Sequence, residues 1–334
     1  MNILFINNTI SEFHIGCFGV SSTIIQDIKS SYSDANIVSI YTEQLKSVNF
    51  KKIINNIDNL TYDHVIINGE GSLHTKNNEG NNIFEIIRYF LEKKCVPNIT
   101  LLNSSLYHIP KEWVNILQRV NAIEVRDLES QNKLLELGID CTFKPDRLFL
   151  FLSRESYSFQ NEEVNRQFLV FDAVNKNHKN IIQQLGLNEL DISYGAVDLS
   201  PLTLDKRTLF SLGAVAVKTI CHFYSKIIFR SWRYRKLNGK KYISNIQNDL
   251  ISKISNSNNI ITARYHIAVL CIYLGKSFSY LPSNTKKIEY LVKYISENFP
   301  DHVSSSEKNE YVYVDVKLKS SEIVKFINSH EYKV

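Results

Sequence analysis

The chain has 334 residues and a formal net charge of +5, with 44% hydrophobic and 22% charged residues. This is the composition of an ordinary globular protein, and its length favours two domains over one. No segment approaches the roughly 18 continuous apolar residues of a transmembrane helix, and the modest charge does not by itself indicate a nucleic-acid partner.

The N-terminal part of the chain alternates strand-like and helix-like segments. Apolar runs predict strands at Asn2–Asn7, Asn36–Tyr41, His64–Asn68, Ile99–Leu102, Ala122–Val125 and Cys141–Phe143. Amphipathic runs predict helices at Val20–Ile28, Gln44–Ile57, Ile83–Lys93, Trp113–Val120 and Leu128–Leu137. Gly138 follows the last helix, as is typical of a C-terminal cap. This alternation predicts a doubly wound parallel sheet.

A polar stretch near Ser153–Glu163 is predicted to separate two domains, and a second alternating set follows it. Strands are predicted at Phe168–Phe171, Leu190–Ser193, Ile260–Thr262, Phe278–Leu281 and Tyr311–Val316. Helices are predicted at His178–Leu185, Tyr242–Ile254, Tyr265–Leu274 (with Gly275 as its cap), Thr285–Asn298 and Ser321–Ile327. We therefore predict an α/β protein with two Rossmann-like, doubly wound domains facing a cleft, at residues 1–155 and 164–334.

The segment Leu209–Tyr242 breaks this alternation. Seven Lys or Arg residues and no acidic residue lie between Lys226 and Lys241, interleaved with Phe229, Trp232 and Tyr234. One interpretation is a solvated insert or an oligomer contact. Another is contact with an anionic membrane surface or a glycolipid. Nucleic acid is the weakest interpretation, and we predict no nucleic-acid partner.

The most informative motif lies where the third strand ends. A run of β-branched residues from Val65 stops at Asn68-Gly-Glu-Gly-Ser72, and His74 follows. Ligands of open α/β sheets bind at the carboxyl ends of the strands. Gly69 and Gly71 allow backbone N–H groups to approach an anion closely, and Glu70 and His74 can move protons. The motif predicts a small anionic ligand, with Ser72 lining its pocket and acid–base chemistry beside it.

The loop after the first strand, Asn7–Val20, is a second candidate for an anion site. It is not a GxGxxG fingerprint, and the chain contains no GxxxxGK[ST] motif, so nicotinamide cofactors and P-loop nucleotides are disfavoured. His14 and Gly16 are predicted to line the pocket, although a structural role for His14 stays open.

The five cysteines form no CxxC pair and have no metal-ligand spacing, so we expect free thiols and no metal. Cys17 is the exception to watch, because it lies in this glycine-containing loop.

The segment Asn259–Ala268 repeats the pattern of an apolar strand that runs into a helix. Arg264 and His266 are predicted within the first helical turn, where free N–H groups and the helix dipole favour an anion. Arg is a permanent, fork-shaped cation that suits carboxylate or phosphate, and His can donate a proton near neutral pH.

Several of these short motifs occur together in one order. They are Asn68–His74, the early His14–Cys17 loop, Val125–Gly138 followed by Pro145-Asp146, the Ala263–His266 turn and Leu281–Ile288. Together they resemble the polysaccharide pyruvyl transferase family over about residues 3 to 290. The resemblance implies a GT-B-like two-domain fold. It also implies transfer of pyruvate from phosphoenolpyruvate onto two hydroxyls of a sugar as a cyclic ketal, with release of phosphate and no cofactor beyond this donor substrate.

The resemblance also implies roles for individual residues. It assigns Arg264 and His266 to the donor, and Lys286 and Arg126 are candidates for further donor-binding cations. Glu70, His74 and His266 are candidate acids and bases, with the individual roles open. Asp146 is a candidate to orient a cation or the acceptor, and a helix cap is the alternative for it. The donor is thereby placed mainly in the C-terminal half, and the acceptor and the carboxylate in the N-terminal half.

Two other functions stay open from the sequence. One is a GT-B glycosyltransferase that uses a nucleotide-activated sugar, such as a CMP-linked acidic sugar. The other is a non-catalytic glycan- or membrane-binding protein on the same scaffold. The partners expected for the transferase are a small-molecule donor and a glycan or lipid-linked glycan acceptor.

The N-terminal run Met1–Asn7 lacks the basic start of a signal peptide. We therefore expect a cytoplasmic protein, with attachment to the inner face of the cell membrane through Lys226–Lys241 as an open alternative.

Overall fold

The computed structural model describes residues 1–10, 15–46, 50–58, 60–71, 73, 78–93, 97–106, 109–155, 168–171, 192–195, 250–281, 286–308 and 311–332. The predicted helix His178–Leu185 and the basic segment Leu209–Tyr242 lie outside these residues. So do three predicted site residues, His14, Ser72 and His74.

The N-terminal strands form one parallel sheet of six strands in the order β2-β1-β3-β4-β5-β6. Its strands are β1 (Asn2–Asn8), β2 (Asn36–Tyr41), β3 (His64–Glu70), β4 (Asn98–Ser104), β5 (Ala122–Val125) and β6 (Thr142–Phe143). The prediction of an α/β fold with a parallel sheet is therefore confirmed.

Helices cover both faces of this sheet. They are α1 (Ile15–Ser31), α2 (Thr42–Leu45), α3 (Phe50–Ile57), α4 (Asn78–Leu91), α5 (Lys111–Leu117), α6 (Leu128–Glu136) and α7 (Arg147–Arg154). Because successive side chains of a strand point to opposite faces, Ile3 and Phe5 pack in one core and Leu4 and Ile6 pack in another. The sheet is therefore wound on both sides, as its sequence predicts.

The sequence did not predict helix α7, whereas it did predict the helix end at Gly138. Six of the eight residues of α7 are buried, and its apolar run Leu148–Leu152 is too short for periodicity to distinguish a helix from a strand. Gly138 has φ +69° after α6, and Gly275 has φ +64° after a later helix, which confirms both predicted glycine caps.

The second sheet has the order β11-β12-β10-β9-β7-β8. Its strands are β7 (Phe168–Phe171), β8 (Ile192–Gly195), β9 (Ile260–Thr262), β10 (Phe278–Tyr280), β11 (Val303–Lys308) and β12 (Tyr311–Val316). Strands β7 to β10 are parallel, whereas β11 and β12 form an antiparallel edge hairpin. Strand β11 was not predicted, because it consists mostly of exposed polar residues, as edge strands often do.

The helices near this sheet are α8 (residues 250–255), α9 (Tyr265–Tyr273), α10 (Lys287–Asn298) and α11 (Ser320–Asn328). One apolar core contains residues of both sheets. The Tyr273 hydroxyl of α9 donates to the Leu152 carbonyl of α7 at 2.9 Å. The sheets lie on opposite sides of the predicted boundary near residues 155–164, and the division into two domains stays a prediction.

A buried ion network positions α7 against the first sheet. The fully buried Arg147 forms a bidentate pair with Glu124 of β5, at 2.8 Å for each bond, and contacts Asp27 of α1 at 2.5 Å. Such a pair has good geometry, which a buried charge requires.

Within the described part of the chain, no helix has the length and apolar character needed to cross a bilayer.

Candidate functional site

Three neighbouring strands of the first sheet end in strained backbone. Asn7 of β1, Glu70 of β3 and Asn103 of β4 have φ values of +60°, +36° and +53°. A non-glycine residue in this region costs on the order of 1–3 kcal/mol and often marks a functional site. Strands β1 and β3 are also adjacent where the strand order reverses, which is where doubly wound sheets bind ligands. The candidate site therefore lies at the carboxyl ends of β1 and β3.

Glu70 is buried at this position and is held by neutral groups. Its Oε1 accepts hydrogen bonds from Thr9 Oγ1 at 2.9 Å and from Asn68 Nδ2 at 3.1 Å, and its Oε2 accepts one from Cys17 Sγ at 3.6 Å. Burial raises the pKa of Glu70, and the charge of Arg126 and the hydrogen bonds oppose this rise only in part. Glu70 can therefore keep its proton at a pH at which an exposed glutamate has lost it.

Two cations lie beside Glu70, one from each half of the chain. A Cβ built at Gly71 would be 3.2 Å from Lys287 Nζ and 3.9 Å from Arg126 Nη2. The two cations thus converge on a position that has no side chain. An anion bound there would meet both.

The protonation of Lys287 is sensitive to its surroundings. The pKa of Lys287 is lowered to about 7, mainly by burial and then by the like charge of Arg126. Asp127, Glu70 and Asp146 raise it, but they do not offset these effects. Lys287 therefore gains or loses a proton near neutral pH, and a bound anion favours the protonated form.

Asp146 holds Arg126 and begins α7. Its Oδ2 accepts a hydrogen bond from Arg126 Nη1 at 2.7 Å, and its Oδ1 accepts one from the Leu148 N–H at 2.8 Å. Arg126 Nε also donates to Ser105 Oγ at 2.8 Å, and its guanidinium lies 4.8 Å from the centre of the Tyr265 ring. Both roles considered for Asp146, a helix cap and the orientation of a cation, are geometrically present.

His266 approaches Asp146 from the second half of the chain. Its Nε2 lies 3.9 Å from Asp146 Oδ2, and its ring fills the space that a side chain at Gly16 would need. His266 lies in the first turn of α9, as predicted. Arg264 is the N-cap, one residue before the first helical residue: its backbone is extended, with φ −102° and ψ 119°, and its carbonyl accepts a hydrogen bond from the Ala268 N–H at 3.2 Å.

The sequence predicted a donor-binding role for Lys286 and none for the adjacent Lys287. Lys286 is the exposed N-cap of α10 with φ +49°, whereas Lys287 is the first helical residue and reaches the site. Successive helical side chains differ in direction by about 100°, so only one of two adjacent lysines can face the site. The signal available in the sequence was the lysine pair itself, and the exact start of the helix decides between its members.

The remaining predicted residues have different surroundings. Gly69 packs against β4, where a Cβ would overlap the hydroxyl of Ser104. A small cavity adjoins the cations, and its lining includes Arg126, Asp146, Lys287, Tyr265, Tyr290 and Tyr294. Among the described residues, no group of three or more His, Cys, Asp and Glu side chains could hold a metal ion. The absence of a metal stays a prediction.

Comparisons with known proteins identify a family. The family model described as polysaccharide pyruvyl transferase matches residues 18–284, which is most of the chain. A search of curated proteins found no match.

Solved structures share a distant likeness with this chain. A functionally uncharacterized protein from Klebsiella pneumoniae is 12% identical, with a TM-score of 0.49 and coverage of 90% of each chain. A UDP-N-acetylglucosamine 2-epimerase from Rickettsia bellii is also 12% identical, with a TM-score of 0.45 and coverage of 82% of this chain and 77% of that one. Both TM-scores are below 0.5, so neither likeness identifies a function.

Proposed function

The chain belongs to the polysaccharide pyruvyl transferase family, and we propose that it transfers pyruvate from phosphoenolpyruvate onto a sugar of a surface polysaccharide or of its lipid-linked precursor. The product is a cyclic ketal, and phosphate is released. The enzyme acts in the cytoplasm, where phosphoenolpyruvate is available as the donor.

One observation carries this proposal: Arg126 and Lys287 converge at Gly71, next to the buried carboxyl of Glu70. Phosphoenolpyruvate carries a carboxylate and a phosphate, so its binding site needs fixed cations. Its chemistry also needs an acid beside those cations. We assign Lys287 the donor-binding role that the sequence analysis gave to Lys286, together with Arg126, Arg264 and His266.

The proposed reaction begins with protonation of the donor. Glu70 gives its proton to the methylene carbon, which makes C2 cationic, and a sugar hydroxyl attacks C2. The Glu70 carboxylate or His266 then takes the proton of that hydroxyl. A second sugar hydroxyl then attacks C2 as the bond between C2 and the phosphate oxygen breaks, and its proton passes to whichever of Glu70 and His266 is still unprotonated or leaves with the phosphate. The raised pKa of Glu70 supports its role as the acid in the first step.

Binding measurements separate this function from the two alternatives. Phosphoenolpyruvate at about 100 times its dissociation constant is expected to raise the melting temperature by on the order of 5 °C, with inorganic phosphate as the control. Stabilisation by CMP- or UDP-linked sugars, but not by phosphoenolpyruvate, would indicate a glycosyltransferase. Stabilisation by neither would favour a non-catalytic protein. Phosphate release on addition of acceptor glycans then tests the transfer itself.

A further inference from the structure

The Thr9 hydroxyl lies at the centre of a buried group of hydrogen-bond partners. Thr9 Oγ1 is 2.8 Å from the Cys17 carbonyl, 2.8 Å from Ser21 Oγ and 2.9 Å from Glu70 Oε1. Thr9 is 3% exposed and Ser21 is fully buried. The Thr9 N–H also donates to Ser21 Oγ at 2.9 Å, which holds the two residues together.

A hydroxyl has one hydrogen to donate, and this restricts how the group can be bonded. The Cys17 carbonyl can only accept a hydrogen bond, and the same holds for the Glu70 carboxylate when it is ionised. The Thr9 hydroxyl can therefore donate to only one of these two acceptors at a time. When Glu70 is protonated at Oε1, Glu70 can donate to Thr9, which leaves the Thr9 hydrogen for Cys17. When Glu70 is ionised, the Thr9 hydrogen turns to Glu70 and Ser21 can donate to Thr9.

We propose that Thr9 is a positioning residue whose hydroxyl reverses between the Cys17 carbonyl and Glu70, so that Glu70 keeps one location in both of its protonation states. No proton leaves Thr9 in this process. The O–H bond that breaks belongs to Glu70, its proton goes to the substrate, and the carboxylate that remains accepts the Thr9 hydrogen bond. The inference rests on the proposed role of Glu70 as a proton carrier.

The surroundings of Glu70 make this hydroxyl important. Among the described residues, the titratable or charged groups that face Glu70 are Cys17 from α1, Arg126 from the turn after β5, Asp146 from the N-cap of α7, and Lys287 from α10. The direct contacts of its Oε1 are the neutral Thr9 and Asn68. Loss of the Thr9 hydroxyl removes a hydrogen bond from both protonation states of Glu70. Because the bond to the ionised carboxylate is the stronger one, the pKa of Glu70 is expected to rise further.

The first test follows the titration of Glu70 by carbon NMR, with its side-chain signal assigned by its loss in Glu70→Gln. Thr9→Val is expected to shift the midpoint upward by about one pH unit, while Thr9→Ser keeps the wild-type value. Thr23→Val is the matched control. The Thr23 hydroxyl is buried, like that of Thr9, but it lies on α1 and makes no hydrogen bond among the described residues. An unchanged midpoint in Thr9→Val, or a Glu70 that does not titrate at all, would overturn the proposal.

A second measurement uses the wild-type protein and does not depend on the folding of a variant. Cys17-Phe18 is the only Cys-Phe pair in the sequence, so carbonyl-labelled cysteine with nitrogen-labelled phenylalanine reports one carbonyl. Its chemical shift should change with the midpoint of Glu70 and stay constant in Glu70→Gln. A Cys17 carbonyl shift that stays constant while Glu70 titrates would contradict the reversal of the Thr9 hydroxyl. Both NMR results are independent of pyruvyl transfer, so a failure of the proposed function is seen separately, as absent activity with intact coupling.

Discussion

The imidazole of His266 occupies the space that a side chain at Gly16 would fill. These residues are far apart in the chain, yet the first helix begins directly against the first turn of α9. The contact brings together the loop after β1 and the turn after β9, two of the three segments in which the sequence predicts anion sites. Gly16 is thus required by its neighbour, since α1 itself would accommodate alanine better than glycine.

Gly16→Ala is expected to displace His266 and lower turnover by about 10- to 100-fold, because a misplaced catalytic group loses its geometry. Steady-state kinetics would measure the effect. Gly138→Ala is the matched control: its φ of +69° predicts a loss of about 1 kcal/mol in stability, and no atom lies within 4 Å of its added Cβ. Wild-type turnover in Gly16→Ala would show that the position of His266 does not matter.

Lys287→Met is expected to weaken phosphoenolpyruvate binding by about 10- to 100-fold, the effect of losing one charged hydrogen bond. Isothermal titration calorimetry would measure it. Lys286→Met distinguishes the two adjacent lysines and should bind nearly normally if Lys287 alone faces the donor. Lys293→Met, at an exposed position of the same helix, controls for the loss of positive charge. A larger defect in Lys286→Met would restore the assignment made from the sequence.

Donor binding is expected to take up a proton at pH 8 and less at pH 6. Lys287 has a pKa of about 7 in the free protein, so it is mostly neutral at pH 8 and mostly protonated at pH 6. A bound anion raises this pKa, so the site gains a proton above pH 7. Calorimetry in two buffers with different ionisation enthalpies gives the number of protons. The proton uptake at pH 8 should be smaller in Lys287→Met than in the wild-type protein.

Glu70→Gln is expected to bind phosphoenolpyruvate normally and to lower turnover by on the order of 100-fold or more, as the loss of an acid–base group does. Arg264→Ala should show the opposite pattern, with donor binding abolished. Comparing KM with kcat separates the two. Wild-type donor affinity in Arg264→Ala would refute the donor role of that arginine.

Arg147→Met is expected to destabilise the protein by about 3–5 kcal/mol, because it leaves the buried carboxylate of Glu124 without its partner and Asp27 with only the partly exposed Arg154. Arg154→Met is a close comparison, since Arg154 contacts the same Asp27 at 2.7 Å but is 37% exposed. Its loss should cost less than about 1 kcal/mol. Urea unfolding measures both variants, and equal midpoints would mean that burial does not set the energy of this network.

Local patterns were sufficient to predict most elements of the fold. The β-branched run Val65–Ile67 predicted β3 because such residues pack well on a pleated, buried sheet. Gly138 and Gly275 predicted helix ends because only glycine adopts a positive φ without cost. Two elements were not predicted: α7, whose apolar run of five residues is too short to identify a helix, and β11, which is mostly exposed and polar.

The amino-acid sequence alone placed Glu70 at the end of a buried parallel strand and made it a candidate acid. It did not identify Thr9, Lys287 or the contact between Gly16 and His266. Each of these depends on distances between residues that are remote in the chain, or on the helical residue at which a side chain turns inward. Periodicity reports which face of an element is buried, but only the packing of the elements decides which polar atoms meet inside the protein.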